Sequence, residues 1–398
     1  MLTREENELL TRVGRGTPCG ELLRCYWHPV AAAGELTEEK PIKAVKVLGE
    51  ELVVYRDKQG KYGLVGEHCP HRLASLAYGR VDDEGIRCPY HGWKFDGTGK
   101  CLEQPAEPAG STFKDRIKHV AYPVETLGGL IFAFFGPEPK PLLPRWDVLV
   151  WENGKRWIVK DSIIDCNWLQ PMENSVDPAH LFWLHGDTAH LAPRVKKYAE
   201  QHEFIPFEFG IKKRRISLPV GTEEVPLMDE HPLLFPTTLR HVAPYEGGKG
   251  HRHNLQIRIP VDDTHTQVFR VNFVPSDVEK SPAEVQVPFR YSQLKKGPRE
   301  YDMGMVSAQD SMAWETQGAV TDRTQERLGA GDEGIILLRK LLKEQIELVQ
   351  KGLDPLGVIR DPHKNRIIDL NVINERIGLH RAQSLDRDQR AVASLVSG

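Results

Sequence analysis

The 398-residue sequence has few cysteines, no strong excess of charge of either sign and no long hydrophobic run. Its six cysteines, at positions 19, 25, 69, 88, 101 and 166, are too few and too scattered for a disulfide framework. A net charge of −3 without a long basic run gives no indication of nucleic-acid binding. No segment approaches the ~20 consecutive apolar residues of a membrane helix, and the N-terminus lacks the features of a signal peptide. We therefore expect a cytoplasmic protein with neither a membrane nor a nucleic acid as partner.

What the sequence does contain is the composition of a globular protein, with 40% apolar and 27% charged residues. The length is sufficient for two domains. The segment "LTREENELLTRVG" predicts a short helix, because Thr3 and Glu6 have capping-box spacing and Gly14 ends the pattern. From Lys43 to Gly136, short β-branched and aromatic runs alternate with glycine-containing turns, which predicts an antiparallel all-β domain.

Four prolines between Pro137 and Pro144 predict a joint between domains, so we expect domains at 1–144 and 145–398. The second half combines strands such as "NLQIRIPV" and "TQVFRVNFV" with a helix in "DEGIILLRKLLKEQIELVQKG", which Gly352 should end. The predicted fold class is α+β, with an N-terminal all-β domain followed by an α+β domain.

Two Cys–His pairs lie in the β-domain, Cys69 with His71 and Cys88 with His91. Four such ligands can hold zinc, but zinc fingers usually place two cysteines on one turn, whereas here each turn supplies one Cys and one His. This arrangement favours a two-iron cluster with both thiolates on one iron and both imidazoles on the other, the Rieske [2Fe–2S] type.

A second set of candidate ligands follows in "NWLQPMENSVDPAHLFWLHG", which contains Asp177, His180 and His185. Positions five apart do not share a face of a regular helix, so the two histidines can meet at one metal only if the helix is widened or broken between them. Two histidines and one carboxylate form the facial triad of non-heme Fe(II) oxygenases. Without the Cys–His motif, two packing histidines would be an equally good interpretation.

The pairing, order and spacing of these motifs resemble the Rieske non-heme iron oxygenases, in particular the large subunit of the phthalate dioxygenase and aromatic O-demethylase branch. The resemblance implies a Rieske domain followed by a helix-grip catalytic domain with a curved antiparallel sheet. It implies that His180 and His185 bind iron and that Asp177 bridges an iron-bound histidine to His91 of a neighbouring subunit. The family commonly forms homotrimers.

The resemblance also requires a more distant aspartate as third iron ligand. The candidates are Asp302, Asp310, Glu315 and Asp322, and "QDSMAWETQG" resembles the family's setting best, so we choose Asp310. Its alternative role is that of a carboxylate near the N-terminus of a helix.

No glycine-rich nucleotide motif is present, so electrons from NADH must arrive through a separate flavin or ferredoxin-type reductase. We expect a terminal oxygenase that uses O₂ to hydroxylate or O-demethylate a small aromatic, carboxylated substrate. Ring cis-dihydroxylation is the alternative, and an electron-transfer or sensor protein without oxygenase activity is the alternative of a different class. Asn174 is a candidate substrate contact. The basic candidates for binding a carboxylate are Arg194, Lys196, Lys197, Arg214 and Arg240, although for any one of them a solvated surface position is the favoured interpretation.

Overall fold

Seven α-helices are distributed unevenly along the computed structural model, which describes residues 1–185, 200–217, 227–245, 250–370 and 372–376. In these parts of the chain the helices are α1 (Arg4–Thr11), α2 (Pro18–Arg24), α3 (Asp147–Val150), α4 (Leu169–Ser175), α5 (His180–Trp183), α6 (Val306–Thr316) and α7 (Glu333–Gln350). Short 3₁₀ helices lie at Ala33–Glu35, Leu76–Tyr78, Phe113–Arg116, Glu284–Gln286, Ala330–Asp332 and Pro362–Asn365. No helix in the described segments is long and apolar enough to cross a membrane.

The first half of the chain forms three small antiparallel sheets. Its strands are β1 (Trp27–Ala32), β2 (Ile42–Val47), β3 (Glu50–Arg56), β4 (Tyr62–Gly66), β5 (Arg80–Val81), β6 (Ile86–Arg87), β7 (Lys94–Phe95), β8 (Cys101–Glu103), β9 (Ala121–Tyr122), β10 (Val124–Leu127) and β11 (Leu130–Phe134). They are ordered β1-β11-β10, β2-β3-β4-β9 and β5-β6-β7-β8. The predicted all-β domain is confirmed.

The second half is built on one large sheet. Its strands are β12 (Asn153–Asp161), β13 (Glu200–Phe207), β14 (Gly210–Ser217), β15 (Leu227–Leu234), β16 (Thr238–Pro244), β17 (His251–Asp262), β18 (His265–Lys280), β19 (Phe289–Ser292) and β22 (Ile373–Arg376), while β20 (Lys295–Gly297) and β21 (Glu300–Tyr301) form a separate hairpin. The order is β13-β14-β15-β16-β17-β18-β12-β19, with β22 on β15, and only β12 and β19 are paired in parallel among these strands. The predicted α+β class is confirmed.

The two faces of the large sheet differ in polarity, which determines where a site can lie. On β17, Leu255, Ile257 and Ile259 join the main apolar core. Arg258 lies on the opposite face, where its guanidinium donates to Ser175 Oγ at the end of α4 and stacks 5.4 Å from the ring of Trp314 on α6. Helices α4 and α6 therefore cover the polar face of the sheet.

Local signals in the sequence explain the helix boundaries. Thr3 Oγ1 accepts from the Glu6 backbone N–H at 3.1 Å, and the Glu6 carboxylate accepts from the Thr3 N–H at 2.8 Å, so the predicted capping box is present. Helix α7 ends shortly before Gly352, whose φ of 73° suits glycine. The proline-rich segment is tied to the second half by the Leu142 N–H, which donates to Ile359 O at 2.8 Å.

A buried charge network fixes α4. The Glu173 carboxylate accepts from Arg323 Nη2 at 2.7 Å and from Arg339 Nε at 2.7 Å, and Arg323 is fully buried. Arg339 belongs to α7, so this network anchors α4 to the longest described helix.

Candidate functional site

The two Cys–His pairs lie on two loops with the same backbone plan. The Leu73 N–H donates to Cys69 O at 2.8 Å, and the Gly92 N–H donates to Cys88 O at 3.2 Å. Both loops reverse four residues after the cysteine through a left-handed residue, Leu73 with φ 62° and Gly92 with φ 73°. Leucine rarely adopts this conformation, so the surrounding loop must hold it there.

The loops direct their thiols inward and their imidazoles outward. Cys69 and Cys88 are 1% and 4% exposed, whereas His71 is exposed and His91 is partly exposed. The two imidazole rings lie 4.5 Å apart, and Trp93 stacks on His71 at 4.5 Å with an interplanar angle of 10°. A group held here would therefore have a buried thiolate end and an imidazole end at the surface.

The spread of these four side chains fits a two-iron cluster better than one zinc ion. A single tetrahedral ion has metal–ligand distances of ~2.0–2.3 Å and so gathers all its ligand atoms closely. Within the described parts of the chain, the only group of three or more His, Cys, Asp or Glu ligand atoms within 4.8 Å of one another lies elsewhere. The donor set of two thiols and two imidazoles suits a Rieske cluster.

That compact group consists of His180, His185 and Asp310. His185 Nε2 lies 3.1 Å and His180 Nε2 lies 4.0 Å from Asp310 Oδ1. Helix α5 begins at His180 and ends at Trp183, so His185 lies beyond its end and can turn towards the same point. The helix is thus broken rather than widened between the two histidines.

Hydrogen bonds set the tautomer of each histidine. His180 Nδ1 lies 2.5 Å from Asp177 O, and a carbonyl oxygen only accepts, so Nδ1 carries the proton. His185 Nδ1 donates to Gln309 Oε1 at 2.6 Å, while Gln309 Nε2 donates to Met303 O at 2.8 Å and so fixes which way the amide faces. In each ring this leaves Nε2, and not Nδ1, as the nitrogen that can bind a metal.

The charge state of the triad also suits a divalent cation. Burial lowers the pKa of His180 to about 4, which keeps its imidazole neutral. Burial alone would raise the pKa of Asp310, but its hydrogen bond to His185, followed by electrostatic interaction with the two imidazoles, outweighs burial and lowers that pKa. An ionised carboxylate with two imidazoles is the donor set of a non-heme ferrous site.

Asp177 lies between α4 and α5 with part of its side chain exposed. Its Oδ1 accepts from the Ala179 N–H at 2.8 Å, and its Oδ2 lies 3.8 Å from His180 Nδ1. The shorter contact to His180 thus comes from the Asp177 backbone. Within one chain, no hydrogen bond or ion pair of the described residues joins Asp177 to His91.

The remaining carboxylate candidates lie away from the triad. Asp302 accepts from the Gly304 N–H, Glu315 binds Lys295 and Tyr301, and Asp322 accepts from Thr324. Asn174 is partly buried on α4, and its carbonyl accepts from the Asp177 N–H at 3.1 Å.

Of the basic residues that could bind a substrate carboxylate, two form ion pairs and three lie outside the described residues. Arg214 forms ion pairs with Glu203 at 2.7 Å and Glu230 at 2.9 Å. Arg240 is buried and pairs with Asp147 at 3.0 Å, so it is neither solvated surface nor a free pocket cation. Arg194, Lys196 and Lys197 lie outside the described residues.

Gln309 is the site residue that sequence reasoning missed. It immediately precedes the candidate ligand Asp310, and a glutamine carries no metal-ligand signal of its own. The available signal was its position beside a candidate ligand, because histidines bound to metal almost always donate their second nitrogen proton to an oxygen acceptor.

Comparison with known proteins places these features in a wider group. Residues 26–121 match the Rieske [2Fe-2S] domain family, and residues 290–376 match the family described as LigXa C-terminal domain like. The chain is 40% identical to the 5,5'-dehydrodivanillate O-demethylase oxygenase subunit of Sphingobium sp. (strain NBRC 103272 / SYK-6), covering 94% of this chain and 87% of that protein. It is 34% identical to the phenoxybenzoate dioxygenase subunit alpha of Ectopseudomonas oleovorans, covering 88% and 87%.

A solved structure supports the fold. The structure of Pseudomonas putida CBB5 NdmA superimposes with a TM-score of 0.66 and 20% sequence identity, covering 90% of this chain and 98% of that one. At this identity the likeness concerns the fold alone.

Proposed function

Because this chain belongs to the Rieske non-heme iron oxygenases, as the oxygenase subunit of a multicomponent system, we propose that it O-demethylates a methoxylated aromatic substrate. The observation that carries the proposal is the compact group of His180, His185 and Asp310 in a chain that also contains a Rieske domain. The family uses a [2Fe–2S] cluster, a mononuclear iron, O₂ and electrons that a partner reductase takes from NADH.

We assign the cofactors to residues as follows. Cys69 and Cys88 would hold one iron of the cluster, and His71 and His91 the other. The triad would hold the mononuclear iron through His180 Nε2, His185 Nε2 and a carboxylate oxygen of Asp310. The ferrous ion, when bound, supplies the activation of O₂ that no amino-acid side chain can supply.

Residues around the triad orient its two imidazole rings. Asp177 O and Gln309 Oε1 hold the two imidazoles in the tautomer that presents Nε2, at 2.5 and 2.6 Å from the Nδ1 atoms. Burial of His185, which is 1% exposed, keeps water from competing for these hydrogen bonds.

The overall reaction balances as a monooxygenation. One oxygen atom of O₂ is inserted into a C–H bond of the methyl group, and the other leaves as water with two protons and two electrons from NADH. The hydroxymethyl ether then breaks its O–CH₂ bond to give the phenol and formaldehyde. Ring cis-dihydroxylation, the alternative reaction, incorporates both oxygen atoms and releases no formaldehyde.

We propose that electrons cross between subunits of a head-to-tail homotrimer. The Asp177 side chain is 29% exposed and pairs with no group of the cluster loops of its own chain among the described residues. It is thus accessible to the partner subunit's His91. The expected domains at 1–144 and 145–398 and a cytoplasmic location, where NADH is available, belong to the same proposal.

Mixing two inactive variants tests this route. In His91→Ala the cluster is disabled, and in His180→Ala the mononuclear site is disabled. Mixed trimers should regain activity, because the intact cluster of one chain feeds the intact iron site of the next. Absence of any activity after verified subunit exchange would contradict electron transfer between chains.

A screen of methoxylated and carboxylated aromatics with a surrogate reductase tests the reaction. We expect formaldehyde equal to substrate consumed, whereas a cis-diol without formaldehyde would establish the dioxygenase alternative. Metal analysis addresses the sensor alternative, since an oxygenase needs three irons per chain and an electron carrier only two. Two irons per chain and no turnover would refute the proposal.

A further inference from the structure

Strand β14 carries four consecutive cations, and three of them are paired. Lys212 lies 3.3 Å from Glu230, Arg214 pairs with Glu203 and Glu230, and Arg215 binds the Asp229 carboxylate. Lys213 forms no ion pair and donates no hydrogen bond to any described residue. An amine left without a counter-charge among paired neighbours needs another explanation.

Lys213 is also not a surface lysine. It is only partly exposed, and burial, followed by the charge of Arg215, lowers its pKa to about 8. A partly desolvated ammonium without a partner costs free energy, which a bound anion would recover. The position therefore favours a ligand with negative charge.

The neighbouring strands place two histidines beside this amine. Lys213 is in register with His231 on β15, and the ring of His231 lies 4.4 Å from that of His241 on β16. Burial lowers the pKa of both imidazoles well below 6.5, so both are neutral. His231 is 6% exposed, yet its Nε2 atom has no hydrogen-bond partner among the residues that the structure describes. A buried polar atom without a partner marks a place where a ligand or water completes the hydrogen bonding.

This pair of groups lies on the side of the sheet that faces the triad. Lys213 and Arg215 are two residues apart on β14, so their side chains leave the same face of the sheet. The Arg215 guanidinium lies 6.0 Å from the ring of Phe182, which belongs to the helix that begins at His180. Lys213 therefore faces the helix that carries His180.

We propose that Lys213, beside the buried His231, binds the carboxylate of an aromatic substrate and so selects for aromatic acids. This inference rests on the proposed function and adds to it the substrate class and the residue that recognises it. A carboxylate gains a charge-assisted hydrogen bond from the ammonium that a neutral amide does not. The sequence predicted other basic residues as partners of a substrate carboxylate. Among the described residues, none of those candidates is an unpaired cation near the triad.

The test compares acids with their amides on the oxidised holoenzyme without reductant, so that no turnover occurs. The probes are methoxy- and hydroxybenzoates and the corresponding benzamides, and binding is measured by isothermal titration calorimetry. The wild type should bind the acids more tightly than the amides. Lys213→Met should weaken binding of the acids roughly 10- to 100-fold and leave the amides unchanged.

Lys212→Met is the matched control, because it removes the same charge from the adjacent position whose partner, Glu230, keeps Arg214. Lys212→Met should retain the preference for acids, and so should Lys213→Arg, which keeps the positive charge. The absorbance of the Rieske cluster reports whether each variant is folded. A wild type without preference for acids, or a preference that survives in Lys213→Met, would overturn the inference. If the preference is present and depends on Lys213 but no aromatic is turned over, the proposed reaction fails and the carboxylate site stands.

Discussion

Replacing Gln309 by leucine should weaken metal binding at the triad while leaving the Rieske cluster intact. The substitution keeps most of the side-chain volume but removes the acceptor that lies 2.6 Å from His185 Nδ1. His185 is 1% exposed, so its Nδ1–H would have no water to replace the amide oxygen. The ring would then lose both its fixed tautomer and its orientation.

The expected size follows from the role of the hydrogen bond. Loss of a hydrogen bond to a metal-bound histidine typically costs 10- to 100-fold in metal affinity, or about 1.4–2.7 kcal/mol. We place Gln309→Leu at the upper end, because the amide is itself held by Met303 O at 2.8 Å and is thus pre-oriented. The effect should appear as faster loss of the mononuclear metal and as a proportional loss of activity at limiting iron.

The assay is competition between the protein and a colorimetric chelator for Co²⁺ or Fe²⁺ under anaerobic conditions. The cluster's absorbance serves as an internal standard for protein folding. Gln317→Leu is the control, since Gln317 is exposed just after α6 and its side-chain oxygen accepts only from Thr321 in the described structure. An affinity of Gln309→Leu within twofold of the wild type would refute the assignment of Gln309 as the residue that orients His185.

Three further substitutions separate the parts of the site. His180→Ala should abolish turnover and remove the mononuclear iron while the cluster absorbance stays, and loss of that absorbance would contradict the separation of the two centres. Asp177→Asn should keep both metals, since the amide oxygen can still accept from the Ala179 N–H, but give no product in single-turnover experiments; normal product formation would exclude a bridging role. Arg323→Met should lower unfolding stability by about 3 kcal/mol in denaturant titrations, because Glu173 is buried and would keep only part of its charge pairing, and an unchanged midpoint would show that the network is not stabilising.

The cluster loops were predictable because their chemistry is local. Each Cys–His pair is separated by one or two residues and lies within a single turn, so spacing alone brings the ligands together. The end of α4 ahead of His180 also had a local signal, since Pro178 disfavours helical backbone at Asp177, and α4 ends at Ser175. Asp310 could be selected only through resemblance, because it is remote in sequence from His185 and its neighbours include other carboxylates.

The properties of Lys213 and Arg240 could not be predicted, because they depend on strand register. Sequence shows four cations in a row on β14 but not which of them meets an acid on the next strand. A shift of one residue would exchange the faces of the strand and with them the paired and unpaired cations. Arg240 illustrates the same limit, since its partner Asp147 lies 93 residues away in the chain.

His180 and His185 are held by different kinds of group, and the difference bears on the bridging role proposed for Asp177. A backbone carbonyl fixes His180 at 2.5 Å, whereas a side-chain amide fixes His185 at 2.6 Å. Because the Asp177 backbone already orients His180, its carboxylate is not needed for that task and remains 29% exposed for a group from outside the chain. Substitution of the Asp177 side chain should therefore affect electron transfer without affecting metal binding, whereas substitution of Gln309 should affect metal binding first. If substitution of the Asp177 side chain weakens metal binding and substitution of Gln309 does not, the carboxylate, and not the backbone, holds the iron site together.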